Sequence, residues 1–178
     1  LWVRYDLDRV REQFPRESLA GRPGDLWRYR ELLPYADAAN IVSLGETATP
    51  ILTAARLGSE LGMTHLQIKD ESRLPTGSFK ARGMAMAITM ANELGIRRVA
   101  CPTAGNAGGA MAAYASRAGM ESFVFMPDDT PMINLKEAHL AGAQVFRVNG
   151  LINDCGRLVG EGREPMGWFD LSTLKEPY

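Results

Sequence analysis

The sequence predicts an α/β fold with a parallel sheet. Short apolar segments alternate with segments of helical pattern throughout residues 95–171. Helices of roughly ten to fifteen residues between short strands are typical of βαβ units with right-handed crossovers. No internal repeat or low-complexity segment interrupts this alternation.

The N-terminal leader, which precedes Thr49, is predicted to be irregular and to pack on a larger body. Prolines at positions 15, 23 and 34 interrupt any long helix there. Aromatic side chains provide anchors for packing. They are Trp2, Tyr5, Phe14, Trp27 and Tyr29.

A helix is predicted over residues 49–62, where apolar residues recur at helical spacing and a glycine stands at the exit. A short strand over residues 66–69 follows. The turn-rich residues 70–77 then lead into a long, alanine-rich and methionine-rich helix that ends at Gly95. Lys80 would lie in the first turn of that helix.

Beyond Gly95 the pattern predicts four strands and three helices. The predicted strands cover residues 99–101, 122–126, 144–148 and 168–171, and the predicted helices cover residues 107–118, 133–141 and 153–161. The strands are short and the helices separate them, as parallel pairing requires.

Composition excludes several classes of function. The 20 basic and 21 acidic residues are spread along the chain and give a net charge of −1, so we expect no nucleic-acid partner. No apolar run approaches the roughly 20 residues needed to span a bilayer, and the first residues lack a signal-peptide pattern. We therefore expect a soluble, cytoplasmic protein with no membrane partner.

The cysteines and histidines give no support for a metal site. Cys101 and Cys155 are isolated thiols without C-x-x-C spacing, so reduced structural cysteines are expected. His65 and His139 stand far apart and form no two-histidine motif. No metal ligand is predicted.

The first segment that could take part in catalysis is T-G-S-F-K, residues 76–80. In it a lysine follows a glycine turn where a helix begins. The positive end of the helix dipole and the free backbone N–H groups favour a neutral, nucleophilic amine at Lys80. Such an amine suits Schiff-base chemistry. Position alone nevertheless favours an ordinary solvated lysine, so spacing does not settle its role.

The second segment is a glycine-rich turn, residues 102–109, between a predicted strand and a helix of small residues. Free N–H groups at that helix start provide an anion site that a carboxylate or phosphate could occupy. The turn matches neither G-x-G-x-x-G nor G-x-x-x-x-G-K-[ST]. Tight helix packing explains Gly108 and Gly109 equally well, so both interpretations stay open.

Together the two segments resemble the paired signature of fold type II pyridoxal-phosphate enzymes. The signature is carried by T-G-S-F-K-A-R-G, residues 76–83, and T-A-G-N-A-G, residues 103–108. The resemblance implies that Lys80 forms the covalent bond to pyridoxal 5'-phosphate, that Phe79 adjoins the cofactor, and that Asn106 bonds its phenolic oxygen. It also implies the two-lobed architecture of the tryptophan synthase β-subunit, of which this chain would be a truncated part.

Further stretches resemble the threonine synthase family. They are residues 3–7, residues 26–34 with their tryptophan, and residues 43–50, where that family usually has G-E-G-x-T-P. The resemblance implies an enzyme that converts O-phosphohomoserine to threonine and phosphate. It also implies that the substrate carboxylate is bound by the loop residues Thr103, Ala104, Gly105, Asn106 and Ala107.

Three residues depart from the family pattern. Thr47 replaces a common glycine, and Ala81 follows the lysine where many threonine synthases have aspartate. Ala104 lacks a hydroxyl that is usual in the loop of residues 103–107, which we call the asparagine loop. Because Ala81 is shared with threonine and serine dehydratases, a dehydratase-like lyase stays an alternative.

The resemblance also implies a division of the chain. Residues 1–83 would be the leader and the first part of a large cofactor-binding lobe, residues 84–171 a small α/β lobe, and residues 172–178 a return segment. Family enzymes are longer, and their second half carries the cofactor-phosphate loop. We therefore expect a partial chain with little activity of its own, which forms a homo-oligomer. A non-catalytic, self-associating module is the alternative of another class.

Overall fold

The centre of the molecule is a four-stranded parallel sheet with the strand order β5-β4-β3-β6. The computed structural model describes residues 4–172 and 175. The strands of the sheet are β3 (Arg98–Pro102), β4 (Glu121–Pro127), β5 (Gln144–Val148) and β6 (Phe169–Asp170). The predicted α/β fold with a parallel sheet is confirmed.

The helices follow the predicted alternation. They are α1 (Leu7–Gln13), α2 (Ala55–Glu60), α3 (Lys80–Glu93), α4 (Asn106–Arg117), α5 (Met132–Leu140), α6 (Ile152–Glu161) and α7 (Arg163–Met166). Helices α4, α5 and α6 each begin one residue earlier than the sequence predicts, and α3 begins at Lys80 itself. Alternating strands and helices of this kind place the carboxyl ends of all parallel strands at one edge of the sheet.

The two central strands of the sheet, β3 and β4, are buried on both faces. Val99, Cys101 and Val124 face the larger core, which contains the inner sides of α3, α4 and α5. The residues between them, such as Ala100 and Phe123, face a smaller core with α6 and Trp168. This burial explains the continuous apolar runs of β3 and β4, because a strand covered on both faces shows no polar alternation.

The predicted helix over residues 49–62 is wrong in its first part. Ile51–Thr53 forms strand β1, which pairs antiparallel with β2 (Gln67–Lys69), and the helix occupies only Ala55–Glu60. Two β-branched residues, Ile51 and Thr53, favour an extended backbone, and the partner strand supplies hydrogen bonds that an isolated segment lacks. Strand pairing therefore overrides the helical spacing.

The leader is irregular, as predicted, and contains α1 followed by short 3-10 turns. Its last part packs on α3. The Glu93 carboxylate accepts hydrogen bonds from the backbone N–H groups of Ala36 and Asp37, and the Thr89 hydroxyl accepts one from Val42. Backbone bonds of this kind lower the pKa of Glu93. Residues 1–3 of the predicted leader lie outside the described residues.

The proposed division into lobes stays a prediction. Its boundary after residue 83 falls inside α3, which runs without interruption through that point. Most of the predicted return segment, residues 172–178, lies outside the described residues. Within residues 4–172, no helix is long and apolar enough to cross a membrane.

Candidate functional site

The lysine segment enters α3 through a strained turn. The 3-10 turn Pro75–Gly77 holds two successive residues in the left-handed region, Thr76 at φ 64° and Gly77 at φ 65°. Ser78 is then extended, and α3 begins at Lys80. The side chain of Lys80 is half-buried, and its Nζ lies 5.0 Å from the ring centroid of the exposed Phe79.

Topology places this turn at the carboxyl edge of the sheet. Helix α3 leads through a tight turn at Gly95 into the amino end of β3, and it packs along α4. Its opposite end, with Lys80, therefore lies toward the edge where β3 ends and α4 begins. The turn Pro75–Gly77 also contacts α4. The structure thus brings the two predicted segments to the same side of the sheet.

The asparagine loop connects β3 to α4 at that edge. The buried hydroxyl of Thr103 accepts a hydrogen bond from the Gly105 N–H at 3.1 Å and donates one to the Gly105 carbonyl oxygen at 3.0 Å. Asn106 is the first residue of α4, and its side chain is exposed, as is Ala104. Thr103 therefore shapes the loop internally, while Asn106 is available to a ligand.

The glycines of this loop have different roles. At Gly108 an added Cβ would collide with Thr103 and with Val124 of β4, and at Gly109 it would collide with the Glu137 carboxylate at 2.4 Å. Both glycines therefore serve close packing of α4. At Gly105, by contrast, the nearest atom to an added Cβ would be Asn134 Nδ2, at 3.9 Å. Of these three glycines, Gly105 is the one where an added side chain would meet no close contact.

Asn134 is a neighbour of the loop that the sequence did not indicate. It lies near the start of α5, and its Nδ2 atom donates to the Ala104 carbonyl oxygen at 3.4 Å. The contact joins α5 to the loop that follows β3. Because it crosses about thirty residues of chain and two elements, no local pattern signals it.

An ion pair anchors the first turn of α3. The carboxylate of Glu71 accepts hydrogen bonds from Arg82 Nε at 2.7 Å and Arg82 Nη2 at 3.0 Å, and a third from the Thr49 hydroxyl. The Arg82 guanidinium lowers the pKa of Glu71 to about 2, and the same pairing raises the pKa of Arg82. The pair holds the lysine-bearing helix to the segment that follows β2.

A second carboxylate, Glu46, is fully buried beside α4. It accepts hydrogen bonds from the Tyr114 hydroxyl, the Ser43 hydroxyl and the Leu44 N–H. Burial, followed by the bond to Glu46, raises the pKa of Tyr114. Glu46 belongs to the segment that resembles G-E-G-x-T-P. Its hydrogen bond with Tyr114 joins that segment to α4.

The cysteines are free and buried, as expected for structural thiols. Burial raises the pKa of Cys101 to about 12 and also raises that of Cys155. Across residues 4–172, no three His, Cys, Asp or Glu side chains are grouped so that they could hold a metal ion.

Comparison with known proteins assigns the family. The family model described as "Pyridoxal-phosphate dependent enzyme" matches residues 42–178, which include both the lysine segment and the asparagine loop. The chain belongs to this family. The resemblance to pyridoxal-phosphate enzymes is confirmed, and the non-catalytic module is the weaker alternative because the family is one of enzymes.

Several curated relatives of this chain are named threonine synthase. The protein from Methanocaldococcus jannaschii is 39% identical over 155 residues, which is 86% of this chain and 38% of that protein. The protein from Mycobacterium leprae is 41% identical over 134 residues, which is 75% of this chain and 37% of that protein. The chain thus spans less than half the length of these relatives.

Several solved structures share the fold. Diaminopropionate ammonia lyase from Escherichia coli, in complex with D-serine, matches with a TM-score of 0.68 at 22% identity, over 75% of this chain and 40% of that one. A pyridoxal 5'-phosphate-dependent aspartate racemase matches with a TM-score of 0.66 at 27% identity, over 70% of this chain and 40% of that one. The fold is therefore of the fold type II class.

The residues present fit the cofactor. Lys80 Nζ makes no ion pair within the described part of the chain. The hydroxyl groups of Thr76 and Ser78, just before it, are buried without a hydrogen-bond partner. An unpaired amine beside unsatisfied donors is suited to a polar aldehyde ligand, since buried polar groups otherwise find partners in the protein.

Proposed function

We propose that this chain forms the lysine-bearing part of a threonine synthase-type lyase, which converts O-phosphohomoserine to threonine and phosphate. The observation that carries the proposal is the unpaired, half-buried amine of Lys80 at the first turn of α3, on the same side of the sheet as the asparagine loop. The names of the relatives, at 39% and 41% identity, support the substrate class.

Each residue has a distinct role in this proposal. Lys80 is the point of covalent attachment for pyridoxal 5'-phosphate, and its Nζ atom accepts and returns a proton at the substrate. Asn106 donates its side-chain amide to the phenolic oxygen, and the ring of Phe79 lies beside Lys80. When bound, the cofactor supplies an electron sink for the substrate's carbanion.

The asparagine loop is proposed to hold the substrate carboxylate. Within residues 4–172, the backbone N–H groups of Asn106 and Ala107 have no hydrogen-bond acceptor. They lie at the positive end of the 12-residue helix α4, where an anion is stabilised. Thr103 keeps the loop in shape, and Gly105 leaves the space that a carboxylate would occupy.

The remainder of the enzyme matters for turnover. Threonine synthase relatives are more than twice as long as the matched region. The resemblance assigns the cofactor-phosphate loop to the second half of such enzymes. Substrate specificity, homo-oligomer formation and a cytoplasmic location are part of this proposal rather than properties of the described residues. A complete site needs water-excluding walls on every side.

Covalent trapping tests the lysine assignment. The purified chain is mixed with pyridoxal 5'-phosphate, reduced with borohydride, and measured by intact mass and peptide mapping. We expect one cofactor per chain, at Lys80. The Lys80→Ala variant should take up none, whereas Lys136→Ala, which removes an exposed lysine on α5, should be labelled like the parent. Labelling that persists in Lys80→Ala would contradict the assignment.

A product assay separates the two lyase types. A chain extended to the length of its relatives is assayed for phosphate release from O-phosphohomoserine and for ketoacid release from threonine. We expect phosphate release that depends on Lys80. Lys80-dependent ketoacid release without phosphate release would favour the dehydratase type, which Ala81 supports.

A further inference from the structure

A short segment, residues 43–49, is bonded to both helices of the candidate site, and we call it the bridging segment. Its Glu46 side chain is fully buried and accepts hydrogen bonds from the Tyr114 hydroxyl of α4 and from two donors of the bridging segment itself. A buried carboxylate needs such donors, because it has lost its hydrogen bonds to water. This end of the bridging segment is thereby tied to the helix that begins with Asn106.

The other end of the bridging segment is tied to α3. The Thr49 side chain is only 5% exposed, and its hydroxyl donates a hydrogen bond to the Glu71 carboxylate. That carboxylate also accepts hydrogen bonds from Arg82 Nε at 2.7 Å and from Arg82 Nη2 at 3.0 Å. Arg82 follows Lys80 by two positions in the first turn of α3. Thr49 is therefore linked to the lysine-bearing turn through one carboxylate and one guanidinium.

The link between the two helices is short and is held at both ends. Thr49 stands three positions after Glu46, so their Cα atoms are at most about 10 Å apart. The Leu26 N–H donates to the Glu46 carbonyl oxygen at 3.1 Å, and Lys69 Nζ donates to the Thr49 carbonyl oxygen at 3.2 Å. The backbone at each end of the link is thus fixed by a hydrogen bond of its own.

The carboxylates at the two ends act on the same cation. The hydrogen bond to Glu71 is the main reason that the pKa of Arg82 is raised, and the charges of Glu71 and Glu46 raise it further against the effect of burial. Charges separated by much more than about 10 Å are largely screened by salt. Both ends of the bridging segment therefore lie near the first turn of α3.

Apolar packing of α3 on α4 does not by itself fix the relative position of Lys80 and Asn106. Both helices bury several alanines in the larger core. Apolar contact is non-directional, whereas hydrogen bonds have preferred distances and angles. Among the described residues, no side-chain hydrogen bond joins the two helices directly, so the bridging segment supplies the directional restraint between them.

We infer that Glu46 and Thr49 are positioning residues, which set the distance between Lys80 and Asn106 through their bonds to α4 and α3. The inference rests on the proposed function, in which Lys80 and Asn106 bind the same cofactor. Two contacts to one rigid ring reinforce each other only when their spacing matches that ring. Loss of a bridging bond should therefore preserve both contact residues but weaken their joint action.

Two conservative variants each remove one bridging hydroxyl. Thr49→Val is nearly isosteric, and its partner Glu71 keeps both bonds from α3. Tyr114→Phe leaves the buried carboxylate with its two donors from the bridging segment. Thr89→Val is the matched control, because the buried Thr89 hydroxyl also lies on α3 but accepts its hydrogen bond from Val42, outside the bridging segment.

A double-mutant cycle on cofactor binding tests the joint action. The dissociation constant of pyridoxal 5'-phosphate is measured with and without Asn106→Ala in the parent and in each variant. Asn106→Ala should raise it about fivefold in the parent and in Thr89→Val, the effect of one lost hydrogen bond. In Thr49→Val and Tyr114→Phe the rise should be less than about twofold, because coupled residues are not additive. A hydroxyl with only a structural role would lower the urea midpoint and preserve the fivefold effect.

A measurement without cofactor tests the distance itself. Spin labels at Lys80→Cys and Asn106→Cys report the distribution of distances between the two positions in the ligand-free chain, through dipolar broadening of the resonance spectrum. The two native cysteines are buried and free. Thr49→Val and Tyr114→Phe should each widen the distribution, whereas Thr89→Val should leave it as narrow as in the parent.

The outcomes separate this inference from the proposed function. If the parent takes up no cofactor at Lys80, the proposed function fails, and the distance distribution alone decides for or against the bridging role. If the parent is labelled at Lys80, the proposed function stands. The bridging role is then overturned if both bridging variants keep the fivefold effect of Asn106→Ala, or if both keep a distribution as narrow as that of the parent.

Discussion

Gly108 of α4 lies so close to Thr103 that an added Cβ would stand 2.6 Å from the Thr103 Cγ2 atom. The same Cβ would lie 2.9 Å from Val124 Cγ1, in the neighbouring strand. Thr103, which shapes the asparagine loop, therefore packs directly against α4, the helix that follows the loop. Close packing of α4 on the sheet and the shape of the loop depend on one another.

This contact predicts different effects for two glycine substitutions. Gly108→Ala should lower the free energy of unfolding by about 2 kcal/mol, because the overpacked core must shift. Gly105→Ala, whose Cβ would make only an ordinary contact with Asn134 Nδ2, should leave stability within about 0.5 kcal/mol of the parent and weaken binding of a substrate carboxylate. Urea unfolding of the two variants measures the difference. Equal destabilisation by both would contradict the separation of packing from ligand space.

The Glu71–Arg82 pair predicts a dependence of stability on pH. Because Arg82 lowers the pKa of Glu71 from 4.5 to about 2, the folded state favours the carboxylate. The contribution of the ion pair to the free energy of unfolding is therefore complete above pH 4.5 and is lost as the pH falls toward 2. Glu71→Gln should be about 2 kcal/mol less stable than the parent at neutral pH, and the difference should shrink between pH 4.5 and pH 2.

Urea unfolding at a series of pH values measures that difference, with Glu60→Gln as the control. Glu60 pairs with Arg56 on exposed α2, where both side chains are mostly in water. Such a surface pair contributes little, so its removal should change stability by less than about 0.5 kcal/mol at any pH. A Glu71 effect that does not vary with pH would show that the ion pair is not its source.

Asn106→Ala should weaken cofactor binding without weakening the fold. Its side chain is exposed and makes no hydrogen bond within residues 4–172, so its loss removes a bond to the ligand only. We expect the dissociation constant of pyridoxal 5'-phosphate to rise about fivefold, for a bond worth about 1 kcal/mol. Asn153→Ala, at an exposed position of α6, is the control. A loss of stability with unchanged binding would instead assign Asn106 to capping α4.

The two thiols should react only when the chain unfolds. Cys101 and Cys155 are buried, and burial raises the pKa of both. Since the thiolate is the reactive form, native protein at pH 8 should show no fast reaction with a disulfide reagent, and denatured protein should show two equivalents. Cys101→Ala should show one equivalent when denatured. A fast-reacting thiol in the native chain would contradict the burial of that residue.

Sequence patterns were sufficient to predict the parallel sheet but not the hairpin of β1 and β2. Continuous apolar runs separated by helices predicted β3 and β4, because a strand buried on both faces has a distinctive composition. Residues 51–53 have no such run, and their strand state depends on a partner at residues 67–69. Pairing of this kind is set by tertiary contact rather than by local preference.

The candidate site divides in the same way. Motif resemblance predicted Lys80 and the loop from Thr103 to Ala107, and the structure brings both to the same side of the sheet. It gave no indication of Asn134, nor of the partnership between Glu46 and Tyr114, which are 68 residues apart. Side chains that meet across elements leave no periodic signal in the sequence.

By itself the sequence determined the α/β class, the order of the elements from α3 to α6 and the position of Lys80 in the first turn of α3. Each of these depends on neighbouring residues, whose spacing, turn glycines and apolar runs act locally. The tertiary structure alone decided which glycines of the loop pack and which one leaves space, and which carboxylates meet Arg82 and Tyr114. It also left the hydroxyls of Thr76 and Ser78 buried and unpaired. These outcomes depend on how distant elements dock, because contact distances and desolvation exist only in the packed chain.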